Sequence, residues 1–299
     1  MKLPPNDVRI LDAIARYYAL SAAMIHRICF PNRKDQRHTR RRLTEMTRQK
    51  LVRRSPVNVA FSTGNSGPAY TPTPTGCDAL ATYYNDDTWL ATWTRAPRLD
   101  RLYHWLDVSW THSVIHRACE QQDGVEMVQW INEWQPTLDA DGNSGGFILH
   151  TQFRDSPPLS CSPDAAFLLD IGGRRKVVYV EVDRGTSGAK RIAASKMPGY
   201  DELLLTQTHR KHFPATTFDN FVVMLVTIDG NHRDRIQREI AKKTDLHPET
   251  WLLASREEFT PESALFGDIY VDHTGSVGPL FSPLAVIPTN HQPEASDVA

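Results

Sequence analysis

Asp164, Glu181 and Asp183 are the side chains of this sequence whose type and spacing could do chemistry. They fall within one stretch, Ser162 to Tyr200, SPDAAFLLDIGGRRKVVYVEVDRGTSGAKRIAASKMPGY. The residues around Asp164 read as a short strand, Gly172-Gly173 as a tight turn flanked by Arg174, Arg175 and Lys176, and Val177 to Val182 as a second strand. Side chains switch face at every residue of a strand, so Val177, Tyr179, Glu181 and Asp183 share one side, and Val178, Val180 and Val182 the other. Two carboxylates at one strand end and a third on the neighbouring strand repel one another in the absence of a cation. A hard divalent ion, Mg2+ or Mn2+, takes carboxylate oxygens and relieves that repulsion. Asp164 and Glu181 are the expected metal ligands, with the Val182 carbonyl as a further oxygen. Asp183 is a third ligand or a base, and Arg184 a partner for phosphate. The bland alternative is a set of solvated strand-end acids in an unrelated α/β domain.

Pro163-Asp164 followed by Glu181 resembles the motif of PD-(D/E)xK nucleases, in which an acid after Pro and an acid on the next strand hold metal and a Lys two residues on organises water. The Lys position of that pattern is Asp183 here, and Lys196 is the candidate to take its place from the adjacent helix. Glu181-Val182-Asp183-Arg184-Gly185-Thr186, with Lys196 and Tyr200 one helical turn apart, is similar more specifically to the replication-relaxation family of bacterial plasmids and mobile elements. That resemblance extends over most of the chain and implies that Lys196 and Tyr200 belong to one site with the acids. It implies a restriction-endonuclease-like α/β sandwich with a central mixed sheet, and double-stranded DNA as partner. Two functions follow as expectations. One is a Mg2+- or Mn2+-dependent DNA endonuclease or nickase. The other is a non-catalytic DNA-binding factor for plasmid replication, mobilisation or transcription control, with a degenerate nuclease-like domain and no cofactor. A replication, mobilisation or defence-system protein, or a second copy of the chain, is the further partner this reading leaves room for.

The 299 residues suffice for two cores, and 40% hydrophobic with 23% charged residues is ordinary for a globular protein. No apolar run is long enough to cross a bilayer, and MKLPPNDVRI lacks the apolar centre of a signal peptide, so a bacterial cytoplasmic location is expected. Cys29, Cys77, Cys119 and Cys161 form no CxxC pair, which argues against a zinc knuckle and for reduced, buried thiols. Net charge is only -1, but its distribution is uneven. Residues 33–54 carry ten Lys or Arg against Asp35 and Glu45, a net +8, which leaves -9 for the remainder.

That basic segment reads as part of a winged helix-turn-helix. Asn6 or Asp7 caps a first helix with Val8, Leu11, Ile14, Ala15 and Tyr18 at helical spacing. Ser21 caps a second helix, Ala22 to Cys29, stopped by Pro31, and a third spans about Asp35 to Lys50. On the third, Thr39, Leu43 and Met46 form a buried stripe, with Arg37, Arg41, Thr44 and Arg48 almost opposite. A helix of this kind lies in a major groove, its arginines on base edges and Arg40, Arg42 and Lys34 on phosphate. Leu51 to Phe61, a turn at Gly64-Asn65-Ser66-Gly67 and Pro68 to Thr71 read as the wing, with Arg53 and Arg54 at its base. Thr75 and Asp78 approximate a capping box for a helix from Cys77 to Tyr84.

The expected domains are thus 1–86, a winged helix; 87–122, a connecting segment and first core helix; 123–282, the nuclease-like domain; and 283–299, a frayed tail. In the connecting segment Leu102, Trp105, Leu106, Ser109, Ser113 and His116 read as one helix face laid against the second domain, and Glu120 as a further metal-side acid. Strands are expected at Glu126 to Trp134 and Gly146 to Phe153, with a turn between them at Leu138 to Gly145. A helix from Ser187 to His209 is expected to kink at Pro198-Gly199. Phe221 to Ile228 reads as a central strand, Arg233 to Lys243 as a helix and Trp251 to Ala254 as a strand, an alternation typical of an α/β sandwich.

Overall fold

Val8, Leu11 and Ile14 turn one side of the first helix inward, and the same side carries Ile10 and Tyr17, all buried. In the computed structural model, which describes residues 3–56, 67–138, 144–243 and 250–282, this helix is α1, Pro5–Tyr17. The chain divides into two compact units, Met1–Ile115 and His116–Ala299.

The first unit continues with β1 (Leu20–Ser21), α2 (Ala22–Cys29), α3 (Arg37–Arg48), β2 (Val52–Ser55), β3 (Ala69–Pro72) and α4 (Pro74–Tyr84). A short 3-10 turn, Asp87–Ala91, precedes α5, Leu99–Glu120, within which the division between units falls. The Ser21 hydroxyl caps α2 by accepting from the Met24 amide at 3.2 Å, as its sequence position predicts. β1, β3 and β2 form an antiparallel sheet in that order. The remainder of the expected first wing strand and the turn residues 64–66 lie outside the described residues.

Three sequence expectations change here. The first helix is capped by Pro4 with no side-chain bond, and Asp7 is instead buried and ion-paired with Arg42 of α3, whose Nε donates to Asp7 Oδ1 at 2.7 Å. A buried acid needs a cationic partner more than the helix end needs a cap. The α4 cap is Thr73, whose Oγ1 accepts from the Gly76 amide at 3.1 Å, because Pro74 takes the first helical position. The aromatic segment packs within this first unit: Trp105 meets Tyr18 edge-on, His112 meets Tyr17, and Ser109 Oγ donates to the Tyr17 carbonyl at 2.5 Å. Leu102, Leu106, Val108, Trp110, Val114 and Ile115 are all buried, so α5 offers no single apolar stripe from which a packing direction can be read.

The second unit is built on a seven-stranded mixed sheet, and among the described residues the chain holds eight α-helices in all. Its strands are β4 (Val125–Asn132), β9 (Ala165–Ile171), β10 (Arg174–Asp183), β11 (Phe221–Thr227), β12 (Trp251–Ser255), β13 (Tyr270–Val271) and β14 (Val277–Gly278). Small hairpins β5 (Pro136–Leu138) with β6 (Ser144–Phe147), and β7 (Thr151–Asp155) with β8 (Pro158–Cys161), lie between β4 and β9 in sequence. The expected strand 146–153 is therefore split, and residues 139–143 of the expected turn lie outside the described residues. The sheet order is β14-β13-β12-β11-β10-β9-β4. β4, β9 and β10 run antiparallel, while β10, β11 and β12 run parallel. The parallel pairs are joined by α6 (Ala189–Leu205) with α7 (His209–His212), and by α8 (Gly230–Ala241), as parallel pairing demands a long crossover.

The hairpin turn is the predicted one, Gly172 at φ +58° and Gly173 at φ +86°, a left-handed pair that glycine adopts without strain. All seven residues of β11 are buried, as a central parallel strand requires. One sheet face carries Val177, Tyr179, Val223, Leu225, Trp251 and Leu253 into a core shared with Ile192, Met197 and Tyr200 of α6 and Ile236 and Ile240 of α8. No helix among the described residues is long and apolar enough to cross a membrane, and the four cysteines are buried and unpaired.

α6 runs unbroken through Pro198, where a kink is expected from the sequence, and α7 is separate. Its next residue, Gly199, lies against β8: a Cβ there would come 2.5 Å from the Ser160 carbonyl oxygen and 3.2 Å from Cys161 Cα. Backbone cannot yield as a flexible side chain can, so Gly199→Ala should lower urea-unfolding stability by about 2 kcal/mol. Gly188→Ala, where nothing lies within 4 Å, should change it by only a few tenths.

Candidate functional site

Asp164 immediately precedes β9, and the pairing of Val180 with Ala165 puts the next residue of β10, Glu181, across from it. Asp164 and Glu181 thus stand side by side at one end of adjacent strands. Asp164 Oδ2 accepts from the Val182 amide at 2.8 Å, which fixes that carboxylate to the β10 backbone. Glu181 is 4% exposed, and its two oxygens are taken by α6. Tyr200 OH donates to Oε1 at 2.7 Å, and Lys196 Nζ lies 2.7 Å from Oε2. Lys196 and Tyr200 are four residues apart on the helix, hence on one face. Lys196 also donates to the Ser162 carbonyl at 3.2 Å. About a third of its side chain remains exposed, but its ammonium is turned onto these acceptors.

Burial pushes the Glu181 carboxyl up to about 7, the Lys196 charge opposing and the Asp164 charge adding to the rise. Burial lowers the Lys196 ammonium, but Glu181 and Asp164 more than reverse that, so its pKa is raised overall and it stays charged. The Tyr200 hydroxyl is held well above its usual value by burial and by the neighbouring Glu181 charge, so it serves as a donor.

Asp183 shares the sheet face of Glu181 but is held by other elements. Its Oδ2 accepts from Thr227 Oγ1 of β11 at 3.0 Å and from the Gly185 amide at 3.1 Å, and lies 2.7 Å from His232 Nε2 of α8. Arg235 Nη2 stands 3.0 Å from His232 Nδ1, while His232 Nε2, though close to Asp183, makes no hydrogen bond among the described residues. Arg184 follows on the loop after β10. Glu120 precedes β4 at its Val125 end, paired with Ile171, whereas Asp164 adjoins the opposite end, where Asn132 meets Ala165. The site therefore brings Asp164, Glu181, Lys196 and Tyr200 together, sets Asp183 in an adjoining network and leaves Glu120 at the far end of the sheet.

Glu133 is the neighbour that sequence reasoning missed. Its amide donates to the Asp164 carbonyl at 3.1 Å, and one of its carboxylate oxygens lies within 4.8 Å of one of Asp164. An acid at the penultimate position of the predicted strand 126–134, and just past the observed β4, was the available signal. The register shift between Met127 and Gln129 prevents its placement by counting.

In the first unit, Thr39, Leu43 and Met46 of α3 are buried as the periodicity requires, and Arg37, Arg40, Arg41, Thr44 and Arg48 are exposed. Arg48 pairs with Glu45 at 2.6 Å, and Arg37 lies 3.7 Å from Asp35. Arg42, expected on phosphate, is committed to Asp7. Arg53 donates to the Thr94 carbonyl at 3.1 Å, and Arg54 is exposed beside it on β2.

These features define a mixed α/β protein with an exposed arginine-rich helix in one unit and a buried carboxylate–lysine–tyrosine cluster in the other. The family model for replication-relaxation proteins matches residues 11–216, and the chain belongs to that family. The matched range holds α3 and all four residues of the cluster, and ends before β11. Comparison with curated proteins and with solved structures gives no match. The family places the protein in the replication or mobilisation of plasmids and mobile elements.

Lys196→Met should leave a buried carboxylate without its counter-charge and lower stability by about 3 kcal/mol at pH 8. A carboxyl whose folded pKa lies above its unfolded value loses stability as pH rises between the two. Removing the ammonium lifts the folded value further. The gap between variant and wild type in urea melts should therefore be wide at pH 8 and narrow at pH 5.5, and a gap independent of pH would refute the pairing.

Proposed function

We propose that the protein is a double-stranded DNA-binding protein of a plasmid or mobile element, with a winged helix in its first unit and a PD-(D/E)xK nuclease-like domain in its second that nicks or cleaves DNA. The observation that carries the reading is the meeting of Asp164 and Glu181 on adjacent strand ends with the Lys196 ammonium 2.7 Å from Glu181. The antiparallel β4-β9-β10 meander followed by parallel β11 across a helical crossover supports it, as do three helices with a small antiparallel sheet in the first unit.

The donor set fits a hard divalent cation. Asp164, Glu181 and the nearby Glu133 each offer carboxylate oxygen, the ligand type such a cation prefers. Mg2+ or Mn2+ bound there would supply Lewis-acid stabilisation of the scissile phosphate and lower the pKa of a water. The chain's own residues do the rest. Val182 N fixes Asp164, Tyr200 orients Glu181, and Lys196, in place of the strand lysine, sets a positive charge beside the phosphate position. Asp183 lends support from the adjoining network, holding the strand end that presents Glu181.

A second reading, a non-catalytic DNA-binding factor, is favoured by one observation: both Glu181 oxygens already have protein partners at 2.7 Å. Supercoiled plasmid incubated with Mg2+ or Mn2+ separates the two. Conversion to nicked or linear DNA, reduced about 100-fold in the near-isosteric Asp164→Asn and Glu181→Gln variants, supports the nuclease. Unchanged plasmid across the metal range leaves the binding factor.

For the first unit, Arg37, Arg40, Arg41 and Thr44 are the outward residues of α3 suited to a major groove, with Arg48 at its end and Arg53 and Arg54 beside the wing. The Arg37→Ala/Arg41→Ala double variant should weaken duplex binding and lower the slope of log affinity against log salt by about 2. Wild-type slope and affinity in that variant would sink the groove assignment.

A further inference from the structure

The sheet face opposite α6 and α8 holds a cavity of about 380 Å3 at the hairpin end of β9 and β10. Leu169, Val222 and Leu252 of three neighbouring strands form its floor, and Tyr270, Leu280 and Phe281 wall it. Interiors packed to crystal density do not leave such a volume, whereas ligand pockets of this size and apolar character are usual.

The charged and polar side chains that reach this lining are engaged elsewhere. Asp272 is committed to its own turn, where Oδ1 accepts from the Thr274 and Ser276 amides at 2.8 and 3.0 Å. The Tyr270 hydroxyl donates to the Ala264 carbonyl at 2.6 Å, so its ring alone is presented to the chamber. Lys176 already has a partner. Arg174, exposed at the start of β10, carries its guanidinium over Phe218, with Cζ 5.1 Å from the ring centroid. A guanidinium in water at the mouth attracts an anion only weakly, and a charged group carried onto the floor would lose its hydration with nothing to replace it. The chamber therefore selects by shape and apolar area, and against charge.

We propose that this chamber is a binding site for a small uncharged aryl compound, whose rings lie on Leu169, Val222 and Leu252 and meet Tyr270 and Phe281 at their edges. Aromatic walls favour a flat aryl body over a flexible chain, because ring-to-ring contact adds to the area buried and fewer rotors are frozen. Arg174 and Glu181 lie seven residues apart on β10, roughly 23 Å along the strand, so the chamber is separate from the carboxylate cluster. The proposal stands independently of any nuclease activity.

Phenylnaphthylamine, an uncharged diaryl amine that fluoresces in apolar surroundings, is the probe, titrated into the full-length protein beside anilinonaphthalenesulfonate, the same aryl body with an anionic group added. Saturable binding of the amine at one site, at least tenfold tighter than the sulfonate, is expected. Val277→Trp, at a lining residue 62% exposed and so tolerant of change, should weaken the amine at least tenfold, and Leu252→Trp should do the same from the floor. Leu205→Trp, at a residue 78% exposed on the α6 side of the sheet, should leave it unchanged. Absence of saturable binding, equal or tighter binding of the sulfonate, indifference to Val277→Trp, or an equal loss in Leu205→Trp would overturn the proposal.

Discussion

A carboxylate at 4% exposure must receive its hydrogen bonds and its counter-charge from the chain around it, since water reaches it too little to supply either. Glu181 imposes that requirement on the second unit. It fixes α6 across the end of β10, with Lys196 and Tyr200 facing down, and it needs the helix close. The closeness comes from Gly199, which has no side chain to hold α6 off the β8 backbone. A core of Val177, Tyr179, Ile192, Met197 and Tyr200 then fills the space between helix and strand. Tyr200 belongs to both systems, its ring in that core and its hydroxyl on Glu181.

The first unit solves a similar problem more simply. Asp7 is 1% exposed and is paired by Arg42, so one arginine of the basic helix is an internal strut between α1 and α3. His26 adds a second strut. Its Nε2 is 2.7 Å from the Arg33 carbonyl, an acceptor, so that nitrogen carries the proton and Nδ1 accepts from Thr39 Oγ1 at 3.0 Å. Counting basic residues therefore overstates the charge α3 can offer a partner. The outward set is Arg37, Arg40, Arg41 and Arg48, and Glu45 already draws on the last.

Much of this was legible in the sequence because it follows from local chemistry. The period of α3, the Ser21 cap, the Gly172-Gly173 hairpin and the unbroken apolar run of β11 each state a backbone preference without reference to distant residues. The alternation of β10 correctly put Glu181 and Asp183 on one face, and family resemblance added Lys196 and Tyr200. The failures are those where a distant partner outweighs a local preference. Asp7 is a good cap residue drawn into an ion pair 35 positions away, and Glu133 is placed beside Asp164 through a β-bulge that no count of residues reveals. α5, apolar on all sides, gave no direction at all.

In the nuclease-like reading proposed above, Asp183 at the place of the strand lysine and Lys196 on α6 belong together. Asp183 accepts from the Thr227 hydroxyl and the Gly185 amide, and His232 Nε2 lies 2.7 Å from its carboxylate. An acid there accepts from both the hydroxyl and the amide, whereas an ammonium could use the hydroxyl oxygen but would face the amide N–H, which cannot accept. With parallel β11 and the start of α8 arranged in this way, position 183 favours an anion, and the positive charge required beside Glu181 must come from another element. α6 is the element over that end of the sheet, and a lysine one turn before Tyr200 reaches Glu181 from the side that Asp183 does not occupy. The cluster thus holds two acids and one cation around a strand end, with the cation supplied by α6.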